Sequence, residues 1–199
     1  MHPFRSVWLH PKQTARFFID QKSVLYAMVI VVLGFMASGL LGFQNTGMYP
    51  DIPYAWIVIS VLIFAPILGV ITYGISVGIS FFIGKLLGGT GTFSDVGKGL
   101  SAGYIPFVVA GPIYLLWLVI SPESFFVQEV TDVMAILGAI VSIVTSIWAV
   151  VITIGALAEA HRYSTERAFL TVIIPTILLF AALIAIIFFI IAVFTAANL

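Results

Sequence analysis

Residues 54–83 read YAWIVISVLIFAPILGVITYGISVGISFFI, thirty consecutive positions without an Asp, Glu, Lys or Arg. A helix of this composition is long enough to cross a hydrocarbon core, which needs about 20 apolar residues. Four more runs of the same kind lie at residues 24–43, 100–120, 133–158 and 168–199, and every charged side chain of the chain falls outside all five. All eight Lys and Arg sit in alternate gaps: Arg5, Lys12, Arg16 and Lys22 before the first run, Lys85 and Lys98 between the second and third, Arg162 and Arg167 between the fourth and fifth. The other two gaps carry Asp51, and Glu123, Glu129 and Asp132. Basic residues mark the cytoplasmic side of a membrane protein. The pattern predicts an all-α integral membrane protein of five spans, its amino end cytoplasmic and its carboxyl end outside.

At 62% hydrophobic and 8% charged, the chain has too little polar surface to cover a water-soluble fold. Its 199 residues divide into a cytoplasmic segment, 1–23, and one five-helix membrane domain, 24–199, with no room for a separate soluble domain. Zero formal net charge gives no bulk attraction to nucleic acid, and the absence of Cys removes disulfides, thiolate catalysis and thiolate metal sites. The amino-terminal segment lacks the apolar core and small-residue cleavage site of a signal peptide. Residues 11–19 instead suit a short helix with Ala15, Phe18 and Ile19 on one side and Lys12 and Arg16 on the other, Trp8 just before it. Such a helix is expected to lie in the membrane interface as a basic aromatic anchor.

Small residues recur at helical spacing. The first run holds Gly34, Ser38 and Gly42, the second Gly74 and Gly78 in a GxxxG pattern, and the fourth Gly138, Ser142, Thr145, Ala149 and Thr153. Small faces let helix backbones approach closely, so packing within one bundle is expected, with subunit dimerisation the competing use. Pro66, Pro106, Pro112 and Pro175 interrupt or open the later runs. Each removes an amide donor whose former acceptor needs a protein or water partner, since lipid offers none. They read as structural positions, with hinges as the alternative.

The inner gap at 84–99 is glycine-rich and then turns helical, with Thr92 and Asp95 at capping-box spacing. A phosphate loop is not expected there, because no Lys follows Gly in the required pattern and no strand precedes it. The gap at 158–167 reads AEAHRYSTER, with Ser164 placed to cap the fifth helix. The two gaps resemble each other: Ser94 precedes Pro106 by twelve residues and Ser164 precedes Pro175 by eleven. Spans two and three and spans four and five therefore read as two copies of one helical hairpin.

Acid and imidazole groups can bind a divalent metal or move protons. Glu159 and His161, with Asp95 from the other gap, are the residues to weigh for a metal, although positions two apart do not share a helical face. The competing reading is an interfacial polar cluster of Asp95, Lys98, Glu159, His161, Arg162 and Ser164 that closes the loop against Asp95 and Lys98, or meets a partner. No HExxH, GxSG or paired-carboxylate motif is present, so no enzyme and no cofactor are expected. No ionisable group lies at membrane depth, as ion-coupled transport usually requires. A small homo-oligomeric channel or carrier lined by Ser and Thr hydroxyls remains the alternative function.

Trp8 with Pro11, the run Gly88-Gly89-Thr90-Gly91-Thr92-Phe93 leading to Pro106, and Ala158-Glu159-Ala160-His161 followed by Tyr163-Ser164 and Arg167-Ala168 together resemble the Ypt-interacting protein family, the Yip-domain membrane proteins, in its short bacterial form. The resemblance covers nearly the whole chain and implies a multi-pass protein of a bacterial plasma membrane. Eukaryotic relatives bind Rab-type GTPases through a longer amino-terminal region and an Asp-Leu-Tyr-Gly-Pro motif. This sequence lacks the motif, so such a GTPase is not the expected partner. Some bacterial members are associated with export transporters and resistance to membrane-active peptides. The expected function is thus non-enzymatic: membrane organisation or an accessory role in a transporter complex, with membrane lipids and another membrane protein, or a second copy of the chain, as partners.

Overall fold

The computed structural model describes residues 2–48, 51–127 and 133–197. Glu129 and Asp132 of the second acidic gap, and the last two residues of the fifth apolar run, lie outside them. The elements are α1 (Pro3–Ser6), α2 (Pro11–Gln21), α3 (Val24–Leu41), α4 (Tyr54–Leu86), α5 (Phe93–Ser101), a 3₁₀ turn (Ala102–Tyr104), α6 (Ile105–Ile120), α7 (Pro122–Phe126), α8 (Val133–His161) and α9 (Thr165–Ala197). Among the described residues no strand occurs, and five helical stretches are long and apolar enough to cross a membrane: Val24–Leu41, Tyr54–Leu86, Phe93–Ile120, Val133–His161 and Thr165–Thr195.

Local chemistry sets the boundaries. Ser23 caps α3 by accepting the Tyr26 amide at 3.2 Å. Pro53 stands at the N-cap of α4, and Pro11, Pro106 and Pro122 sit in the first turns of their helices, where the missing N–H removes a donor that has no intrahelical acceptor. Pro106 thus opens a helix rather than breaking one, whereas α4, α6 and α9 run through Pro66, Pro112 and Pro175. The third span also starts earlier than its apolar run suggests, at Phe93, because α5, the 3₁₀ turn and α6 follow one another without a loop.

α3 packs between α4 and α6; α6 lies on α8, and α8 and α4 hold α9. At the acidic end an aromatic cluster of Trp117, Phe125 and Phe126 is buried with Tyr114 and Leu118. There the Trp117 indole N–H donates to Ser124 Oγ at 2.8 Å, and the Asn45 backbone amide donates to the Phe125 carbonyl at 3.2 Å. At the basic end Val31, Tyr73, Val77, Val96, Leu100 and Leu157 form a second core. A third, built from Val7, Phe18, Ile30, Ile105 and Ile152, seats the amino-terminal helices.

That seat corrects one expectation. The apolar face of α2 is not turned to the membrane interface: Ala15 and Phe18 are fully buried, and the helix lies against α8 and α5. A second correction concerns the small residues. Among the described residues, a β-carbon at Gly74 or Gly78 would meet nothing within 4 Å, so the GxxxG spacing of α4 is not a close-packed stripe inside this bundle. The close approaches fall elsewhere. A β-carbon at Gly138 would land on the Trp117 ring, one at Gly34 on Tyr104, one at Gly69 on Phe35 and one at Gly103 on Thr153. Of the three small-residue stripes, that of α8 is buried as expected, with Gly138, Thr145 and Ala149 facing inward.

From Thr176 to Thr195, α9 is exposed at every position whose side chain is described. A helix that is apolar all round and unpacked all round needs lipid as its solvent. At 33 residues and 1.5 Å per residue, α4 and α9 are each about 50 Å long, more than a hydrocarbon core of about 30 Å requires.

These packing assignments separate two glycine substitutions. Gly138→Ala should displace Trp117 and cost about 1–3 kcal/mol. Gly74→Ala should be neutral or gain up to about 1 kcal/mol from helix propensity. Reversible unfolding in mixed detergent micelles, followed by tryptophan fluorescence, should rank them in that order; the reverse order would show that the wrong stripe has been assigned to packing.

Candidate functional site

The candidate site is the basic end of the bundle, where two turns and α2 meet. α4 and α8 end in the same way. After α4, Gly88 adopts φ 87° and the Gly89 amide donates back to the Gly84 carbonyl at 2.8 Å. After α8, Arg162 adopts φ 56° and the Tyr163 amide donates back to the Ala158 carbonyl at 3.1 Å. Both are left-handed terminations that satisfy a carbonyl the helix leaves open. Arg162 lacks the freedom of glycine there, so its backbone conformation is imposed by the packing on either side.

What lies on either side is His161. Its ring is fully buried and sits against Gly84 and Gly89, where a β-carbon on either glycine would coincide with imidazole atoms. Nε2 lies 3.3 Å from the Ser80 carbonyl. A carbonyl only accepts, so Nε2 carries the proton, which leaves Nδ1 of the neutral ring as an acceptor, buried and without a partner. The His161 carbonyl accepts from the Thr90 amide at 3.0 Å, and a β-carbon on Gly91 would strike the Ala160 carbonyl. The glycine-rich turn is therefore shaped to receive the carboxyl end of α8. Phe81 and Tyr163 flank the imidazole, with ring centroids 6.5 and 5.1 Å away. Tyr163 shares a 2.6 Å hydrogen bond with Thr171, and burial pushes its phenol above the ordinary range, an effect that bond partly opposes.

α2 is strapped across the two turns. Arg16 pairs with Glu159 at 2.9 Å, Lys12 donates to Thr165 Oγ1 at 2.7 Å, and Lys98 donates to the Ile19 carbonyl in the last turn of α2 at 3.0 Å. A cation at a helix carboxyl end also meets the negative end of its dipole. Arg167 crosses from α9 to the Leu87 carbonyl at 3.2 Å, and Lys22 lies over the Tyr26 ring, 4.5 Å from its centroid.

Each residue singled out from the sequence can now be placed. Asp95 is turned onto its own helix: it accepts from the Thr92 amide at 3.0 Å while Thr92 accepts from the Asp95 amide at 3.1 Å, the reciprocal capping box its spacing suggested. Glu159 faces Arg16, and His161 faces the opposite way, into the turn. The metal candidates Asp95, Glu159 and His161 are thus not brought together, and among the described residues no three His, Asp or Glu side chains form a ligand group. His161 Nδ1 faces Gly89, where a β-carbon would come within 2.4 Å of it. Arg162 and Ser164 are exposed, with Ser164 Oγ accepting from the Arg167 amide at 3.4 Å at the start of α9. Sequence reasoning missed Lys12, Arg16, Thr90 and Arg167. The one signal for them was the density of glycines at 84, 88, 89 and 91 opposite a lone histidine in the matching turn.

A cavity of about 600 Å³ lies deeper in the bundle, between α3, α4, α6, α8 and α9. Ser38, Ser76, Ser80, Thr153 and Thr171 contribute hydroxyls to its wall, and no charged side chain does. Its described lining stops short of the acidic end, so it is a blind recess rather than a passage.

The glycine–histidine contact predicts non-additive substitutions. Gly89→Ala should cost about 1–3 kcal/mol by displacing the ring. Combined with His161→Ala, which empties the seat, it should cost clearly less than the sum of the two single changes. Additive losses in the same unfolding measurement would show that Gly89 acts through its backbone and not through the imidazole. Arg16 and Glu159, part-exposed, should couple by no more than about 1 kcal/mol in a double-mutant cycle.

No curated protein and no solved structure matches the chain. The Yip1 domain matches residues 5–195, from the amino-terminal helix α1 through nearly all of α9, and the chain belongs to that family.

Proposed function

We propose that this Yip1 family protein is a non-enzymatic, multi-pass membrane protein that acts through partners, organising its membrane or supporting an export or resistance transporter complex. The observation that supports this reading is the division of charge at the basic end. Arg16, Glu159, Lys98 and Lys12 are spent on strapping α2 to its neighbours, and Arg167 on tying α9 to the turn after α4. Lys85, Arg162, Ser164 and Glu166 are exposed on the same platform, and Lys85 Nζ lies over the Phe81 ring, 5.5 Å from its centroid. A rigid platform carrying outward charge suits recognition of a protein surface, because its donors are ordered before the partner arrives.

Under the positive-inside bias this end faces the cytoplasm and the carboxyl end of α9 lies outside, in the plasma membrane of a bacterium. The partner is another membrane protein or a second copy of the chain, within a lipid environment, and neither a Rab-type GTPase nor a nucleic acid. Of the six residues weighed for docking, Arg162 and Ser164 make the contact, while Asp95, Lys98, Glu159 and His161 hold the platform in shape.

Because the chain has no Cys, single cysteines report topology on a clean background. Cysteines at Ser94 and Ser164 should be labelled by an impermeant maleimide only after the membrane is opened from the cytoplasmic side, and one at Thr46 from outside in intact cells; the opposite pattern overturns the orientation. The docking reading is tested by crosslinking in native membranes, affinity purification and mass spectrometry. The variant Lys85→Gln, Arg162→Asn, Glu166→Gln should lose a stoichiometric partner without loss of thermal stability. Capture unchanged by all three substitutions would sink it.

A further inference from the structure

The recess in the bundle has a wall chemistry that the platform at the basic end does not use. Its walls lie on α4 near residues 73–80, on α8 near 146–153 and on α9 near 171–175. Those positions are about 10–20 Å along the helices from the two turns, at 1.5 Å per residue. Ile79 of α4 and Val150 of α8 belong to its lining and are 41% and 50% exposed. The mouth therefore opens sideways between α4 and α8, onto the surface that faces lipid, and not through a loop.

Inside, the wall is of two kinds. Phe35, Leu100, Phe107 and Val172 offer apolar surface. Among the described residues, the hydroxyls of Ser80, Ser146, Thr153 and Tyr104 make no hydrogen bond to the protein. Ser38, Ser76 and Thr171 donate to carbonyls of their own helices at 3.2, 2.9 and 2.8 Å and keep lone pairs to offer. Pro175, also in the wall, provides no N–H for the Thr171 carbonyl one turn earlier. A hydroxyl or carbonyl at membrane depth needs a partner that lipid chains cannot supply.

We infer that this recess is a binding site for an uncharged membrane amphiphile, whose apolar body lies on Phe35, Phe107 and Val172 and whose hydroxyl or carbonyl head meets Ser80, Thr153 and Tyr104. The volume lies within the range of about 300–1,000 Å³ typical of small-molecule sites. The wall has donors and acceptors but no charge, so a carboxylate or ammonium head would be buried without a counter-ion, at a cost a neutral head avoids. Water alone would suit the hydroxyls and not the aromatic and aliphatic half of the wall. The bilayer supplies the ligand directly through the lateral mouth. This site is separate from the outward charges of the basic end and stands whether or not these bind a partner.

The test uses the full chain in lipid nanodiscs and a long-chain fatty alcohol carrying a diazirine and a terminal alkyne, with the matching fatty acid as the charged control. On irradiation, the alcohol should label peptides covering residues 73–80 and 146–153, saturably and in competition with unlabelled alcohol. The acid should compete at least about tenfold more weakly, because its charge is buried. Ser146→Trp, which plugs the mouth, should abolish the saturable labelling. Thr153→Val with Ser80→Ala, which keeps the shape and removes two hydroxyls, should weaken the alcohol more than a hydrocarbon probe of equal length. Label spread over α9 and the outer face of α8, unsaturable and indifferent to Ser146→Trp, would overturn the proposal by showing boundary lipid only. Saturation of wild type by unlabelled alcohol needs no variant, so a misfolded Ser146→Trp protein leaves the test intact.

Discussion

The basic end of the bundle depends on one steric fact: the His161 ring occupies volume that two missing β-carbons make available. Gly84 closes α4 and Gly89 begins the turn beyond it, and a side chain at either would coincide with imidazole atoms. From that contact the other features of this end follow. α8 can end only where the ring reaches the Ser80 carbonyl, so Arg162 must carry the left-handed residue that reverses the chain. The reversal brings the His161 carbonyl to Thr90, tying one turn to the other, and sets Glu159 outward where Arg16 can meet it. The ion pair is weak by itself, since both partners are part-exposed. Its position is informative because it follows from a contact on the opposite side of the same helix.

The spans were legible because a bilayer constrains sequence in a simple way: length, apolarity and the sidedness of Lys and Arg suffice. Caps were legible because they are local. Thr92 and Asp95 lie three residues apart, and Ser164 directly precedes the helix it caps. What escaped were relations between distant segments. Arg16 and Glu159 are separated by 143 positions, and Lys12 and Thr165 by 153. The same limit explains the glycines. Spacing within α4 shows that Gly74 and Gly78 share a face, but whether another helix packs closely on that face is a tertiary matter, and among the described residues nothing lies within 4 Å of a β-carbon at either. His161 is a related case: beside Glu159 and Asp95 it reads as a ligand or as part of a polar cluster, and its burial depends on the distant glycines at 84 and 89.

The two ends of the bundle are held by different physics. At the acidic end, aromatic side chains pack edge to face, with Trp117 and Phe125 centroids 5.1 Å apart, and the polar groups there are few: Trp117 donates to Ser124, while the Tyr114 hydroxyl and Gln44 Nε2 are buried without a partner. At the basic end, helix termini are satisfied by side chains drawn from other helices, so the polar network itself carries the tertiary structure. Losing one such partner leaves a buried carbonyl or imidazole exposed to an environment with few replacements. Apolar packing is more forgiving of a neighbour of similar volume.

The recess sits between these regimes, and its hydroxyls are hard to explain by packing. Thr153 could be Val and Ser80 could be Ala with little change of volume, and either change would remove a polar group that the fold leaves unbonded at membrane depth. An unpartnered hydroxyl in an apolar setting costs about 1–3 kcal/mol. The fold thus carries several such costs in one place, on α4, α8 and the 3₁₀ turn, around a space large enough for a small molecule. Unsatisfied groups scattered through a bundle would be imperfections of packing. Groups converging on one cavity with a mouth on the lipid side are a complementary surface for something the membrane contains.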